Sequence, residues 1–436
     1  MSETVTSHRL SRLPSLDALR ALGAIVVVSA HVSFNTGVGL SDSWGAALLI
    51  RGDVGVAIFF VLSGFLLFRP FAHASAVGTN RPGLGRFFWR RAVRLLPAYW
   101  LVVIVCLSVV PANGPAPASE WVRFMTLTHI YWEGWLRAGL TQSWSLATEV
   151  ASYLVLPFMA LVAVRRRWRP VRSMVIVLVT GVVISGTWFV LMDTGPLSTA
   201  RHTLWLPTYQ IWFSAGMALA IAHVALRTGT APARWRILDD MGAAPGACWS
   251  MVLALMAIAS TPLAGPLGLA PATSAELGFK TTLWLFAAAL VLISAGFGPA
   301  NRYKGVLSSP PARWLGTVSY GLFLWHPLVL EEIFRLENRP IFSGDYVITF
   351  LMTLAGGLAL AALSYYILER PLLRWSSRWP RPRADRRRQD GEGPQRPGGQ
   401  DDQGLRAQGG VPGIGREGEP AGDRHEGERE PRLQPA

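Results

Sequence analysis

The sequence predicts an all-α, polytopic membrane protein with about ten transmembrane helices and both termini in the cytoplasm. Of its 436 residues, 51% are hydrophobic and only 16% are charged, which is unusual for a soluble chain of this length. The apolar residues cluster in blocks of roughly 18 to 24 residues, the length of a helix that crosses a bilayer. Ten such blocks are centred near Val26, Phe60, Val103, Leu156, Val179, Gly216, Leu255, Ala288, Leu322 and Ala355. A soluble α/β protein would need apolar runs of roughly four to eight residues, which do not fit this pattern.

The distribution of arginine orients the predicted helices. If the N-terminus is cytoplasmic and the blocks alternate in direction, most arginines fall in cytoplasmic segments and few in outer loops. This asymmetry follows the positive-inside rule and predicts a multi-pass protein of the cell membrane. The net charge of +14 is therefore explained mainly by topology. No nucleic-acid motif accompanies it, so nucleic-acid binding is not predicted.

Three regions are predicted along the chain: an N-terminal arm (1–13), a transmembrane domain (14–375) and a cytoplasmic tail (376–436). The tail is rich in Gly, Pro, Gln, Arg and Glu, a composition that predicts disorder. Arginines interleaved with aromatics at 85–94 predict an interfacial helix, and the outer loop 111–142 is expected to form a partly ordered lid. Cys106 and Cys248 have neither disulfide nor metal-ligand spacing, so no metal is expected. The oligomeric state is not predicted.

Ionisable residues inside the predicted spans are the strongest sign of function, because burying them in a bilayer is costly. Arg20 and His31 lie on the first span, with His31 about 16 Å further along the helix. Glu149 on the fourth span and His326 on the ninth are expected at a depth similar to that of His31. A histidine beside a carboxylate commonly acts as the general base that takes a proton from a hydroxyl.

Less specific interpretations stay open for each residue. Arg20 could extend its guanidinium to the membrane surface, and a buried histidine could simply connect two helices by a hydrogen bond. The whole group could also be a proton relay in a transporter, or a structural polar cluster. His129 and His202, in outer loops, are expected to be solvated, with a place at the acceptor site as the alternative.

Six motifs in this order resemble the acyltransferase 3 family of integral-membrane O-acyltransferases, over residues 13–373. They are Leu16-Asp17-Ala18-Leu19-Arg20 with ten residues before His31; 59–66 (FFVLSGFL); Arg91-Ala92-Val93-Arg94 followed by 96–100 (LPAYW); 144–149 (WSLATE); Ser319-Tyr320 through His326; and 364–371 (SYYILERP).

The resemblance implies a cytoplasmic acyl-CoA donor, expected to be acetyl-CoA, and an acceptor hydroxyl that is often on a sugar. It assigns functional roles to Arg20, His31, Arg91 and Arg94. Guanidinium groups suit the phosphates of coenzyme A, although Arg91 and Arg94 could equally be positive-inside anchors.

The mechanism expected from these residues is direct transfer. His31 would be the general base on the acceptor hydroxyl, Arg20 would stabilise an oxyanion or a donor phosphate, and Glu149 would orient His31 or bind the acceptor. No serine or cysteine has the sequence context of a nucleophile. The motif residues Trp144, Tyr320 and His326 are expected to contact the substrate.

The acceptor is predicted less directly. Carbohydrate-modifying members of the family often carry an additional extracytoplasmic domain, which is not expected in the short tail of this chain. This favours a secondary metabolite such as a macrolide antibiotic as the acceptor. The alternatives are a cell-surface or exported polysaccharide or, in a different class, export of a small molecule coupled to protons.

Overall fold

The computed structural model describes residues 12–377, apart from positions 42, 135, 165–166, 196, 198–199 and 269. Within these residues the secondary structure is helical and no strand occurs, which confirms the all-α prediction. The predicted tail falls outside the described residues except for 376–377, as does most of the N-terminal arm. The α-helices are α1 (Ser15–Asn35), α2 (Trp44–Ile50), α3 (Val54–Ala76), α4 (Leu84–Val109), α5 (Ala118–Met125), α6 (Ser143–Ala163), α7 (Pro170–Thr194), α8 (Leu206–Arg227), α9 (Ile237–Ala243), α10 (Pro245–Ala259), α11 (Ser274–Gly296), α12 (Arg302–Leu307), α13 (Pro310–Leu336), α14 (Tyr346–Ser364) and α15 (Arg370–Ser377).

All ten predicted blocks are helical, and most are long enough to cross a bilayer. Eight helical segments of the described chain have the length and apolar composition of membrane spans, and nine if a bent pair counts as one span. That pair joins 233–243 to α10 at an angle of 86°, so the seventh block is not the straight span that was predicted. The ninth block is α13, which has 27 residues but carries Glu331, Glu332 and Arg335 near its end and is not among the eight. The number of spans and the cytoplasmic termini stay predictions.

Helix α4 differs from its prediction at the N-terminal end. The segment 85–94 is not a separate interfacial helix but the first part of one continuous helix, Leu84–Val109. Pro97, which lies inside α4, does not end the helix, since the residues on both sides of it remain helical. As a result, Arg91 and Arg94 lie one turn apart on the same helix face.

Glycines allow the central helices to approach closely. A Cβ atom on Gly64 of α3 would collide with the backbone carbonyl of Phe213 on α8, and one on Gly216 of α8 would collide with the carbonyl of Val61. Gly316 of α13 lies in the same way against the backbone of Asp17 on α1. Close contact through small residues is the usual basis of helix association in membranes, so these glycines serve helix packing.

We expect Gly216→Ala to destabilise the protein by roughly 1–3 kcal/mol, because a methyl group there displaces the backbone of α3. The measurement is the thermal unfolding midpoint of detergent-solubilised protein. The matched control is Gly186→Ala on α7, where the added Cβ would meet no atom within 4 Å. Equal midpoints for the two variants would show that the α3–α8 contact does not limit stability.

Candidate functional site

Three arginines and a glutamate meet in a cavity inside the helical bundle. The cavity is lined by Arg20 of α1, Arg91 and Arg94 of α4, and Glu149 and Tyr153 of α6. These five residues define what we call the arginine cavity. Three guanidinium groups around one space favour a polyanionic ligand.

The arginines differ in how they are held. Arg20 forms an ion pair with Asp17, with 3.1 Å between Nη1 and Oδ1. Neither Arg91 nor Arg94 forms an ion pair with another side chain in the described part of the chain. Their guanidinium groups are therefore available to an anion that enters the cavity.

Glu149 belongs to the arginine cavity. One carboxylate oxygen, Oε1, accepts hydrogen bonds from the hydroxyls of Ser63 on α3 and Tyr153 on α6, the latter at 2.7 Å. The sequence-based prediction that Glu149 orients His31 is not what the structure shows, because the described partner of His31 is another histidine. The reason is helix geometry: α6 directs Glu149 toward α3 and α4, whereas α13 faces the first helix at His31.

His31 lines a second cavity. Its lining includes His31 of α1, Asp53 just before α3, and Gln142, Trp144 and Ser145 near the start of α6. These five residues define the histidine cavity. Ser145 and Phe323 line both cavities. The two cavities are therefore neighbours that share part of their walls, formed by Ser145 and Phe323.

His31 and His326 form a stacked pair. Their ring centroids are 5.0 Å apart with 27° between the ring planes, and Nδ1 of His31 lies 2.8 Å from Nε2 of His326. His326 is completely buried and lines neither of the two cavities. His326 contacts His31 and neither cavity, whereas the sequence predicted that it would contact the substrate.

Trp144 and Tyr320, the other predicted substrate-binding residues, lie on different cavities. Trp144 lines the histidine cavity and packs against Tyr209, with 5.5 Å between centroids. Tyr320 lines the arginine cavity, and its hydroxyl donates a hydrogen bond to the Leu95 carbonyl at 2.8 Å. The structure thus places Arg20, Glu149, Arg91, Arg94 and Tyr320 around one cavity and His31 and Trp144 around the other.

An aromatic pocket adjoins the histidine cavity. Trp144, Tyr209, Trp212 and Trp284 line it together with an ion pair between Asp53 and Lys280. The Lys280 ammonium lies 2.9 Å from Asp53 Oδ2, and the Trp284 indole donates to Asp53 Oδ1 at 3.0 Å. Asp53 and Trp144 line this pocket as well as the histidine cavity. Aromatic rings with a few placed polar groups are typical of small-molecule sites.

Several residues of these cavities were not identified from the sequence. Tyr153 lies four residues after Glu149, so helical periodicity would have placed the two side chains on one face. Asp53 is an acidic residue at the start of a predicted span, which is itself a sign of function. Ser63 and Ser145 lie inside quoted motifs, but nothing in their local sequence assigns them to a cavity.

His129 and His202 are not the solvated loop residues that were predicted. Both are buried, and the ring of His129 stacks on Phe124 with 4.5 Å between centroids. Burial lowers the pKa of His129 to about 3. Its Nε2 lies 3.0 Å from the Ser143 hydroxyl, so it supports the loop before α6, and neither histidine lines the two cavities.

Comparison with known proteins identifies relatives along most of the chain. It is 27% identical to the peptidoglycan O-acetyltransferase OatA of Listeria monocytogenes over 84% of this chain and 57% of that protein. It is 26% identical to the acyltransferase MdmB of Streptomyces mycarofaciens over 84% of this chain and 90% of that protein. It is 23% identical to the O-acetyltransferase OatA of Staphylococcus aureus over 83% of this chain and 57% of that protein.

The chain therefore spans a little over half the length of the two OatA proteins. No solved structure matches it. The model of one family, described as an acyltransferase domain, matches residues 13–369, which contain both cavities and the histidine pair. The chain thus belongs to the acyltransferase 3 family of membrane O-acyltransferases.

Proposed function

We propose that this protein transfers an acetyl group from acetyl-CoA to a hydroxyl of an acceptor molecule, with His31 as the general base. The observation that carries the proposal is the common wall between the arginine cavity and the histidine cavity. A donor held in one cavity and an acceptor held in the other would meet beside Ser145 and Phe323, which line both.

The arginine cavity suits the donor. Coenzyme A carries phosphates, and Arg91 and Arg94 present guanidinium groups without an ion-pair partner among the described side chains. Arg94 lies one helical turn after Arg91, so the two groups are placed to bind neighbouring phosphates. The thin pantetheine arm is long enough to extend from these groups toward the shared wall. Glu149 offsets the repulsion between the three cations and keeps the cavity intact when no anion is bound.

The histidine cavity suits the acceptor. In the proposed reaction the acceptor oxygen attacks the thioester carbonyl while its proton moves to His31. The carbon–sulfur bond then breaks, and the thiolate of coenzyme A takes the proton from His31. Arg20 stabilises either the oxyanion that develops on the carbonyl or a phosphate of the donor. No covalent acyl-enzyme is required.

A hydroxyl-rich acceptor fits the aromatic pocket beside His31. Trp144 and Trp284 offer apolar ring faces, while Asp53 and Lys280 offer an acceptor and a donor for hydroxyl groups. We retain a secondary metabolite such as a macrolide as the proposed acceptor. A cell-surface glycan is the second candidate, supported by the name of the Listeria relative.

We expect His31→Ala to lower acetyl transfer by at least 10²-fold, because general-base catalysis typically contributes that much. The measurement is transfer of labelled acetyl from acetyl-CoA to a macrolide or a crude cell-surface glycan by protein in membranes. His73→Ala, which changes a histidine that lines neither cavity, is the matched control and should retain activity.

Normal turnover by His31→Ala would contradict the proposed base. If the wild-type protein neither labels an acceptor nor releases coenzyme A, the proposed reaction is wrong and small-molecule export becomes the leading alternative. The acceptor that becomes labelled decides between the metabolite and the glycan.

We expect Arg91→Ala and Arg94→Ala each to raise the KM for acetyl-CoA by about 10- to 100-fold, the usual cost of losing a hydrogen bond to a charged group. With acetyl-pantetheine, which has no nucleotide phosphates, the wild-type KM should already be high and the variants should raise it little further. The measurement is initial rate against donor concentration at saturating acceptor.

The control for this series is Arg90→Ala, because the Arg90 side chain is exposed and does not line the arginine cavity. It should leave the KM for both donors unchanged. If Arg91→Ala raised the KM for acetyl-CoA and the KM for acetyl-pantetheine by the same factor, the arginine would serve membrane anchoring or folding and not phosphate binding.

A further inference from the structure

The nitrogen atoms of the histidine pair form a chain of hydrogen bonds with a defined direction. Nδ1 of His326 lies 3.2 Å from the backbone carbonyl of Leu322, one turn earlier on α13. A carbonyl oxygen only accepts hydrogen bonds, so this Nδ1 carries a proton. In a neutral imidazole the other nitrogen then holds a lone pair, which makes Nε2 of His326 an acceptor.

The donor and acceptor roles in His326 also determine those in His31. Its Nδ1 lies 2.8 Å from Nε2 of His326, and because that Nε2 is an acceptor, Nδ1 of His31 must carry the donated proton. For a neutral ring this leaves the lone pair of His31 on Nε2. The opposite tautomers would place the lone pair of His326 Nδ1 against the Leu322 carbonyl, which is repulsive. The backbone of α13 therefore determines which nitrogen of His31 is basic.

We propose that His326 is a positioning residue that holds His31 in the Nδ1–H tautomer, with its Nε2 as the base in the histidine cavity. The proposal rests on the proposed function of His31 as the general base. His326 takes the place that a carboxylate has in many catalytic histidine systems, where the third group fixes the tautomer and the ring orientation. In the described residues neither ring forms a hydrogen bond with a carboxylate.

The hydroxyl proton can be followed through the histidine pair during the proposed reaction. The hydroxyl proton moves to Nε2 of His31, which becomes an imidazolium. Its Nδ1–H remains donated to the neutral Nε2 of His326, and His326 remains anchored to the Leu322 carbonyl. The proton then leaves from Nε2 of His31 to the thiolate of coenzyme A, so that both rings return to their starting tautomers.

The test compares His326→Gln with His326→Leu. The side-chain oxygen of glutamine reaches the position of Nε2 and can accept from His31, whereas leucine fills a similar volume and accepts nothing. We expect His326→Leu to lower kcat by about 10²-fold or more with an unchanged KM for acetyl-CoA and for the acceptor. His326→Gln should retain activity within about 10-fold of the wild-type value.

The control for local packing is Trp325→Phe, which truncates the neighbouring buried side chain on the same helix. An equal loss of kcat in His326→Gln and His326→Leu, or a raised KM for the acceptor with an unchanged kcat, would overturn the proposal. His326 would then have a structural role or contact the substrate. If His31→Ala retains activity, the proposed function itself fails. If His31→Ala is inactive while His326→Leu is normal, only the positioning role fails.

The tautomer can also be measured without turnover. In protein labelled with ¹⁵N-histidine and placed in lipid nanodiscs, the His31 resonances are identified by their loss in a His31→Asn variant. We expect a protonated Nδ1 and an unprotonated Nε2 in the wild-type protein, and a shift toward the Nε2–H tautomer in His326→Leu. An Nε2–H tautomer of His31 in the wild-type protein would contradict the proposal directly.

Discussion

A charged or polar side chain inside a bilayer must find a partner or face a cavity, because the hydrocarbon offers no hydrogen bonds. The two cavities of this protein follow from that constraint. Glu149 is bound by two hydroxyls, Arg20 pairs with Asp17, and His31 pairs with His326. Arg91 and Arg94 instead face the arginine cavity. Arg91 and Arg94, which form no ion pair with the described side chains, thus lie where a ligand can supply one.

This arrangement depends on how closely the helices approach. Gly64 and Gly216 bring α3 against α8, while Ser63 of the same helix α3 donates a hydrogen bond to Glu149 of α6. The contact of Gly316 with the backbone of Asp17 brings α13 against α1, the two helices that carry His326 and His31. Packing in a membrane is governed by shape and hydrogen bonds more than by exclusion of water. Small residues therefore determine which polar side chains can meet.

The sequence predicts much of the fold because hydropathy and helix length are local properties. All ten predicted blocks are helical, whereas the 86° bend before α10 depends on packing and was not foreseen. For the site, the sequence identifies Arg20, His31, Glu149 and His326 as ionisable residues inside predicted spans. It does not show which of these side chains contact one another. Depth along the membrane is readable from residue number, but rotation about each helix axis is not. That rotation directs Glu149 toward Ser63 and leaves His326 as the partner of His31.

A neutral partner for His31 has a physical consequence that a carboxylate would not have. A buried carboxylate would have to be desolvated, and it would place a negative charge beside the base in apolar surroundings. A neutral histidine fixes the tautomer through one hydrogen bond and adds no charge to the apolar surroundings. Placing Glu149 in the arginine cavity keeps negative charge beside the cations of the donor site. The three arginines and Glu149 therefore lie around the arginine cavity, whereas the base lies in the histidine cavity, where the charged side chain of Asp53 is paired with Lys280.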